Sequence, residues 1–362
     1  MKKLRVLHIT PWFPTEGEPG FAIWIKRHIE ALDPFCESTV LNFRIRSGTE
    51  PDIHVKNGNL IQHVVSTKTE RWIFKEIMHL RMLRKMLSGD LAPGNFDIIN
   101  FHIAYPNLVF AHWIGSLKKS KIIITEHWSY YHFHFYSTKK LTRIKKIFHR
   151  EIPLITVSKA LHKDIEKFAG TTLKPNVVAN AVDTKSFKPV ETVQRAKVLL
   201  LGGFWKSPKK PFMFLDVMEE LLASSADWSI RIFGHGPMAP ALKMWCEDFD
   251  QTWIGQLTPG AIAEELVQCS GYVMPSGYET FSVGCAEALC CGTPVLASKV
   301  GAIPELIHHE NGLLVEKEED WKDQTIKFIQ TSWNHKKISN EAIAKYSYAA
   351  VGMAYNEVLK RL

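Results

Sequence analysis

Two glutamates, Glu279 and Glu287, stand eight residues apart in YETFSVGCAEALCCGTPV, residues 278–295, a stretch that is otherwise small and apolar. Charged side chains are seldom buried without partners, so two carboxylates in a core-like segment ask for a ligand. The preceding GYVMPSGYE reads as a strand followed by a loop, which sets Glu279 at a strand's carboxyl end. Residues 282–291 read as a helix with Ser282 as its N-cap. The amides of Phe281, Ser282 and Val283 then point out of the helix start, where unpaired N–H groups and the helix dipole favour phosphate. Glu287, one to two turns on, reaches the same place from the helix side. A diphosphate flanked by two carboxylates suits a nucleotide sugar, one acid taking sugar hydroxyls and the other the two hydroxyls of the ribose. Spacing alone fits equally well a loop glutamate beside an ordinary surface helix.

The elements that position these residues follow from hydropathy. In the N-terminal half, KLRVLHIT (3–10), STVLNF (38–43), FDIINFH (96–102), KIIITEH (121–127), LITVS (154–158) and NVVAN (176–180) are strand candidates, with helical patterns at 21–32 and 106–119. The pattern restarts after the polar, proline-marked DTKSFKPVETVQ (183–194) with strands at 196–203, 228–234, 252–255, 271–276, 293–298 and 311–316. Continuous apolar strands alternating with helices indicate parallel sheets covered on both faces. The fold class is therefore α/β, two tandem doubly wound Rossmann-like domains, with ligands expected at the strands' carboxyl ends in a cleft between them. The closing YSYAAVGMAYNEVLKRL places Tyr346, Val351, Tyr355, Val358 and Leu362 at helical spacings.

Composition is that of a globular protein: 362 residues, 46% hydrophobic and 23% charged, more than one core usually fills. No apolar run reaches the roughly 18 residues of a membrane-spanning helix. The opening MKKLRVLHITPW reads as a first strand of a cytoplasmic protein rather than a targeting segment, because prolines and acids interrupt it. Six scattered cysteines without a paired spacing read as buried thiols of a reducing compartment. Charge is divided unevenly. Residues 1–190 carry 29 Lys/Arg against 16 Asp/Glu, and the remainder 16 against 21, so an anionic partner is expected for the first half alone.

The order PSxxETF, a helix carrying Glu287, then CGTPVLAS, GAIPELI and NGLLVE, resembles the family 4 retaining glycosyltransferases of the GT-B fold. IFGHGP (232–237) is similar to that family's GxGP turn, and WIGQLTPGAIAEELVQCSGYVMPS (253–276) to its base-holding segment. VVANAVDTKSF (177–187) resembles its PNGVDxxxF stretch before the interdomain linker. The resemblance spans nearly the whole chain, most closely 196–316. It implies an acceptor-binding domain over 1–188, a nucleotide-sugar-binding domain over 189–345, and a closing helix over 346–362 that packs back on the first domain.

By this resemblance Glu279 contacts the donor sugar and Glu287 the ribose. Family members hold the diphosphate with an Arg and a Lys just after the second domain's first strand. In GGFWKSPKK (202–210) Phe204 occupies the Arg position, Lys209 matches the Lys, and Lys206 and Lys210 are its neighbours. Gly20 and the amide of Phe21 correspond to a glycine loop facing the diphosphate, and Gly234 to the GxGP turn. His127, in TEHWS, corresponds to a histidine that touches the donor sugar, and His102 ends a neighbouring strand by the same logic. His132 and His134 alternate with aromatics but lack a third metal ligand. The implied chemistry is front-face displacement with retention, the leaving phosphate helping to deprotonate the acceptor. No cofactor and no metal are expected, since no DxD-like acidic cluster accompanies the diphosphate site.

The segments RWIFKEIMHLRMLRKML (71–87) and KKLTRIKKIFHR (139–150) interleave cations with apolar side chains as membrane-surface helices do. With the basic first half they point to peripheral contact with an anionic inner membrane face. The donor is then a UDP- or GDP-sugar and the acceptor a saccharide, lipid-linked, as in surface polysaccharide assembly. No nucleic-acid-binding motif accompanies the basic residues. The competing readings are a non-catalytic nucleotide-sugar-binding protein, suggested by Phe204, and a GT-B enzyme of another type such as an epimerase or phosphorylase.

Overall fold

A computed structural model of the chain describes residues 3–68, 72–111, 114–133, 138–190, 193–224 and 227–361. It divides into two compact units, one of residues 1–181 and 351–362, the other of residues 182–350.

The first unit is built on strands β1 (Leu4–Thr10), β2 (Cys36–Ser47), β3 (Ile53–Asn57), β4 (Leu60–Thr67), β5 (Ile98–His102), β6 (Ile122–Glu126) and β7 (Leu154–Thr156). They form one sheet in the order β3-β4-β2-β1-β5-β6-β7. All neighbours are parallel except β3 and β4, an antiparallel hairpin turned at Gly58 and Asn59, the former with φ of 55°. β1 and β5 carry Val6, Leu7, Ile9, Ile98, Ile99 and Phe101 into the core, as strands covered by helices on both faces must.

The second unit holds β8 (Ala196–Phe204), β9 (Ser229–His235), β10 (Thr252–Gly255), β11 (Cys269–Met274), β12 (Val295–Ser298) and β13 (Gly312–Val315). Its order is β10-β9-β8-β11-β12-β13, wholly parallel. Leu199, Leu201, Trp205, Phe214, Ile230, Ile232, Trp321 and Phe328 form its core. Both sheets reverse direction of growth beside a central strand, between β1 and β5 and between β8 and β11. Loops leaving strands at such a switch point diverge and open a crevice for ligands.

Several expectations need correction. NVVAN (176–180) is no strand: it makes a single bridge between Val177 and Thr156. The expected helix 106–119 is two short pieces, Asn107–Ala111 and the 3-10 turn Gly115–Lys119. The last helix begins at Tyr348 and runs to Lys360. All six cysteines are buried and none forms a disulfide.

Candidate functional site

The crevice of the second unit is made by the loops that leave β8 and β11. Lys209 and Ser276 pair their backbones across these loops, and Gly277 N donates to Pro208 O at 2.7 Å while Lys210 N donates to Pro275 O at 2.9 Å. This stitching brings Lys209 Nζ to 2.5 Å from Glu279 Oε1, with both side chains about five-sixths buried, 17% and 16% exposed. The carboxylate is anchored from behind as well. Its residue's carbonyl accepts from Ala302 N at 2.9 Å. Gly301 stands with φ of 50° where a Cβ would meet that carbonyl at 2.1 Å, so only glycine lets the turn close on Glu279.

The helix runs Val283–Cys290. Cys285, Ala286, Ala288, Leu289 and Cys290 face the core, while Val283, Gly284 and Glu287 are half-buried, a spacing of four that sets Glu287 over the helix's first turn. Amides in that first turn have no intrahelical acceptor. Gly284 gives the helix its approach to β11, because a Cβ there would stand 2.6 Å from the Tyr272 hydroxyl. Ser282 stands at the N-cap position but does not cap. It is left-handed, with φ of 74° and no side-chain bond to a backbone amide, and its hydroxyl points to Cys285 Sγ at 3.1 Å. Phe281 sends its ring into the core, edge-on to Tyr346 with centroids 5.6 Å apart, so only its backbone lines the crevice.

Gly234 has φ of 122°, and a Cβ there would collide with Gly203 O at 2.0 Å. Its role is to let the ends of β8 and β9 close together. Lys206 is exposed, its Nζ 4.9 Å from the centroid of the Phe204 ring, and that ring also lies 4.9 Å from the ring of His235. Lys210 is drawn to the surface, 2.9 Å from Glu318.

In the first unit the loop after β1 departs from expectation. Gly20 has open space around it and no left-handed backbone; the left-handed residue is Ala22, with φ of 53°. The Phe21 amide, expected to face a diphosphate, donates instead to Glu18 O at 3.1 Å, closing a turn. The Phe21 ring packs edge-on to Trp12 at 6.4 Å and under Arg44 at 5.2 Å. His102 ends β5 and His127 directly follows β6, His102 Nδ1 lying 3.3 Å from His127 Nε2, and both rings are buried. Burial holds both imidazoles well below the usual histidine range. Next to them Glu126 accepts from Ala104 N at 2.7 Å and from the Tyr131 hydroxyl at 2.6 Å, and burial lifts its carboxyl to about 7. His132 pairs with Asp164 at 3.2 Å, and His134 lies outside the described residues. Among the described residues no cluster of three His, Cys, Asp or Glu side chains is arranged to hold a metal ion.

Two family descriptions match this chain in sequence order: Glycosyltransferase Family 4 over residues 36–186 and Glycosyl transferases group 1 over residues 195–331. The chain belongs to the group 1, family-4-type glycosyltransferases. The sulfoquinovosyl transferase of Arabidopsis thaliana is 25% identical over 62% of this chain and 47% of its own length. A mannosyltransferase of Mycolicibacterium hassiacum, acting on MMP by α-(1→4) linkage, is 33% identical over 44% of this chain and 40% of its own. The chain thus spans about half or less of the length of these curated relatives. The Anabaena protein HepE, solved with UDP and glucose, superposes with a TM-score of 0.73 at 15% identity, covering 99% of this chain and 100% of its own. The shared fold is GT-B.

Several residues that shape the crevice of the second unit carry no motif that marks them in the sequence. Trp205 is buried and its indole N–H donates to Phe233 O at 2.8 Å, locking the loop that carries Lys206 and Lys209 onto β9. The Tyr272 hydroxyl donates to Gly202 O at 2.9 Å. A buried tryptophan straight after GGF was the available signal, since indole N–H groups taken out of water find an acceptor.

Proposed function

We propose that this glycosyltransferase moves a hexosyl group from a UDP- or GDP-sugar to a saccharide acceptor, with retention and without a divalent metal. The observation that carries this reading is the Lys209–Glu279 pair, set beside the first turn of the helix Val283–Cys290 at the switch point of the second sheet. In the ligand-free state the ammonium neutralises the carboxylate. On donor binding Lys209 and the helix-start amides take the diphosphate charge, and Glu279 is left to accept from sugar hydroxyls, while Glu287 accepts from the ribose. Stabilising the departing diphosphate with fixed donors and a cation supplies the electrostatic part of catalysis. The leaving phosphate oxygen takes the acceptor's proton, so no separate protein base is required.

The acceptor is proposed to be lipid-linked and presented at an anionic membrane face. In support, the helix Trp72–Met86 keeps His79 and Leu83 inside and turns Phe74, Ile77, Arg81, Arg84 and Lys85 outward. Among the described residues no helix is long and apolar enough to cross a membrane. A second reading, nucleotide-sugar binding without transfer, draws on Phe204 standing where the family has Arg; detection of donor turnover excludes it.

The test is calorimetric titration of UDP, GDP and ADP into wild type and Glu287→Gln in the presence of chelator. One nucleotide is expected to bind and to lose about tenfold, roughly 1.4 kcal/mol, on substitution. Binding of none, or equal binding to both proteins, overturns the placement of the donor site.

A further inference from the structure

Three neighbouring strands of the first sheet each deliver one aromatic residue to the same place. Trp12 lies two residues beyond the end of β1, Tyr105 three beyond β5 and Trp128 two beyond β6, and these strands are adjacent in the order β1-β5-β6. Trp128 is the hub. Trp12 stands edge-on to it with ring centroids 5.5 Å apart, Tyr105 lies nearly parallel to it at 6.2 Å and 14°, and Tyr130 is tilted against it at 4.7 Å. Trp12, Tyr105 and Trp128 are half-buried and Tyr130 is 50% exposed. A single exposed ring is ordinary, but a contiguous group of them marks a site of interaction.

The group is firmly seated. Trp12 and Trp128 pack on Phe13, Ala22, Ile25 and Ile103. Ile103, between β5 and Tyr105, is left-handed with φ of 68°, which a β-branched residue rarely adopts; such strain persists where the surroundings over-determine it. Glu126 accepts from Ala104 N at 2.7 Å and from the Tyr131 hydroxyl at 2.6 Å, so one buried carboxyl joins the segment bearing Tyr105 to the helix that follows Trp128. The strands feeding these loops share a buried network: His8 to His102 at 3.0 Å, His102 to His127 at 3.3 Å and Asn100 to Tyr355 at 2.6 Å, with the His28 ring 5.4 Å from that of His127. A surface already fixed in this way loses little freedom when a ligand covers it.

Charge selects among ligands. Residues 11–22, the loop that carries Trp12, include two exposed carboxylates, Glu16 and Glu18, and no Lys or Arg. Arg44, which reaches this loop from β2, is met by Glu18 at 3.9 Å and by the Phe21 ring at 5.2 Å. Anionic headgroups and diphosphates are therefore repelled here. A neutral saccharide fits both features: the C–H face of a pyranose ring is apolar and lies flat on an aromatic ring, while the hydroxyls at its edge donate to carboxylates.

We propose that Trp12, Tyr105 and Trp128 form a stacking platform for a pyranose ring of the saccharide acceptor. That the sugar is the acceptor rests on the glycosyltransferase reading; the platform as a saccharide site does not.

Saturation-transfer NMR tests it with methyl α-glucopyranoside, methyl α-mannopyranoside and methyl β-galactopyranoside, each with and without saturating UDP. At least one glycoside should receive saturation at its ring C–H protons when the aromatic protons of the protein are irradiated, undiminished by UDP. Trp128→Ala should abolish the transfer, and Trp128→Phe, which returns a ring to the hub, should restore most of it. Should the alanine variant not fold, Tyr105→Leu, which removes a half-buried ring, should cut the transfer at least threefold. No transfer to any of the three glycosides, or equal transfer in wild type and variants, overturns the proposal. Displacement by UDP overturns it as well, since the contact would then lie in the donor site. So does binding to phosphatidylglycerol vesicles that depends on Trp128 in the absence of any glycoside transfer, which would make the rings a lipid patch. If neither UDP nor GDP binds by calorimetry while the glycoside contact persists, the donor-site reading falls and the platform stands; a missing contact with nucleotide binding intact removes the platform alone.

Discussion

The two units share a topology and treat polar residues at its switch point in opposite ways. After β8 and β11 the second unit sets an ammonium against a carboxylate, each one-sixth exposed. At the ends of β5 and β6 the first unit stacks imidazoles that are buried and uncharged. Partial exposure keeps the first kind of site affordable, because water and the pair itself both offset desolvation, whereas full burial of a charge costs several kcal/mol per ion. Charge is therefore placed where a charged ligand must arrive, and neutral hydrogen-bonding groups where shape and direction are read.

The largest expected effect tests the charged side. Lys209→Ala or Glu279→Gln should lower kcat/KM for donor turnover by two to three orders of magnitude, on the order of 3–4 kcal/mol. Because the two side chains are partners in the free protein, the double variant should lose much less than the sum of the two single losses. Single variants within threefold of wild type would place the chemistry elsewhere and dissolve the contrast between the units.

The next effect tests the neutral side. Histidines 8 and 28 titrate near 6.5 when unfolded but only at about 3 and about 4 when folded. Below pH 6.5 the unfolded chain therefore binds protons that the folded chain refuses, and stability falls as pH drops toward 4. His28 alone accounts for about 3 kcal/mol across that window. Glu126 has the opposite sign: its carboxyl is lifted from 4.5 to about 7, so its contribution is full below 4.5 and lost as pH rises through 7. Five buried imidazoles, His79 among them and lowered to about 4, against the raised carboxyls of Glu126 and Asp33 leave the first unit acid-labile. Residue-resolved hydrogen exchange, converted to opening free energies at pH 7.5 and 5, should show β1, β5 and β6 weakening while β8 and β11 hold. Equal weakening of both sheets would mean that the histidine network is not the cause.

The same contrast governs what could be read in the sequence. Glu279 and Glu287 stood out in the sequence because the elements that carry them are local: a strand ending at Met274, a loop, and a helix starting at Val283. The parallel strands were legible as apolar runs. The β3–β4 hairpin was not, although Gly58-Asn59 makes its turn, because β3 is an exposed edge strand with little apolar patterning. Gly20 drew attention by residue type, yet the left-handed position is Ala22; a packed helix start imposed the strain where no glycine announces it. The histidine network joins residues separated by as many as 255 positions, Asn100 to Tyr355. His102 and His127 were picked out by position, but His8 and Asn100 lie within strands and His28 and Tyr355 on helices, and only the fold makes them neighbours.

The smallest expected effect sharpens the comparison at its least regular residue. Phe204 is 44% exposed at the end of β8, holding the Lys206 ammonium over its ring. A guanidinium at this position would add a planar fork suited to diphosphate, which a lysine supplies only as a point charge. It would also lie close to Lys206, and that repulsion offsets part of the gain. Phe204→Arg should therefore raise affinity for the nucleoside diphosphate by roughly three- to tenfold at low salt, about 1 kcal/mol. The advantage should shrink toward parity near 0.5 M salt, where exposed charges are screened over a few ångströms. The nucleoside monophosphate, with one phosphate fewer to meet the fork, should gain less. An equal gain for both ligands would mean that the added charge acts as a general field, and that the end of β8 does not touch the diphosphate.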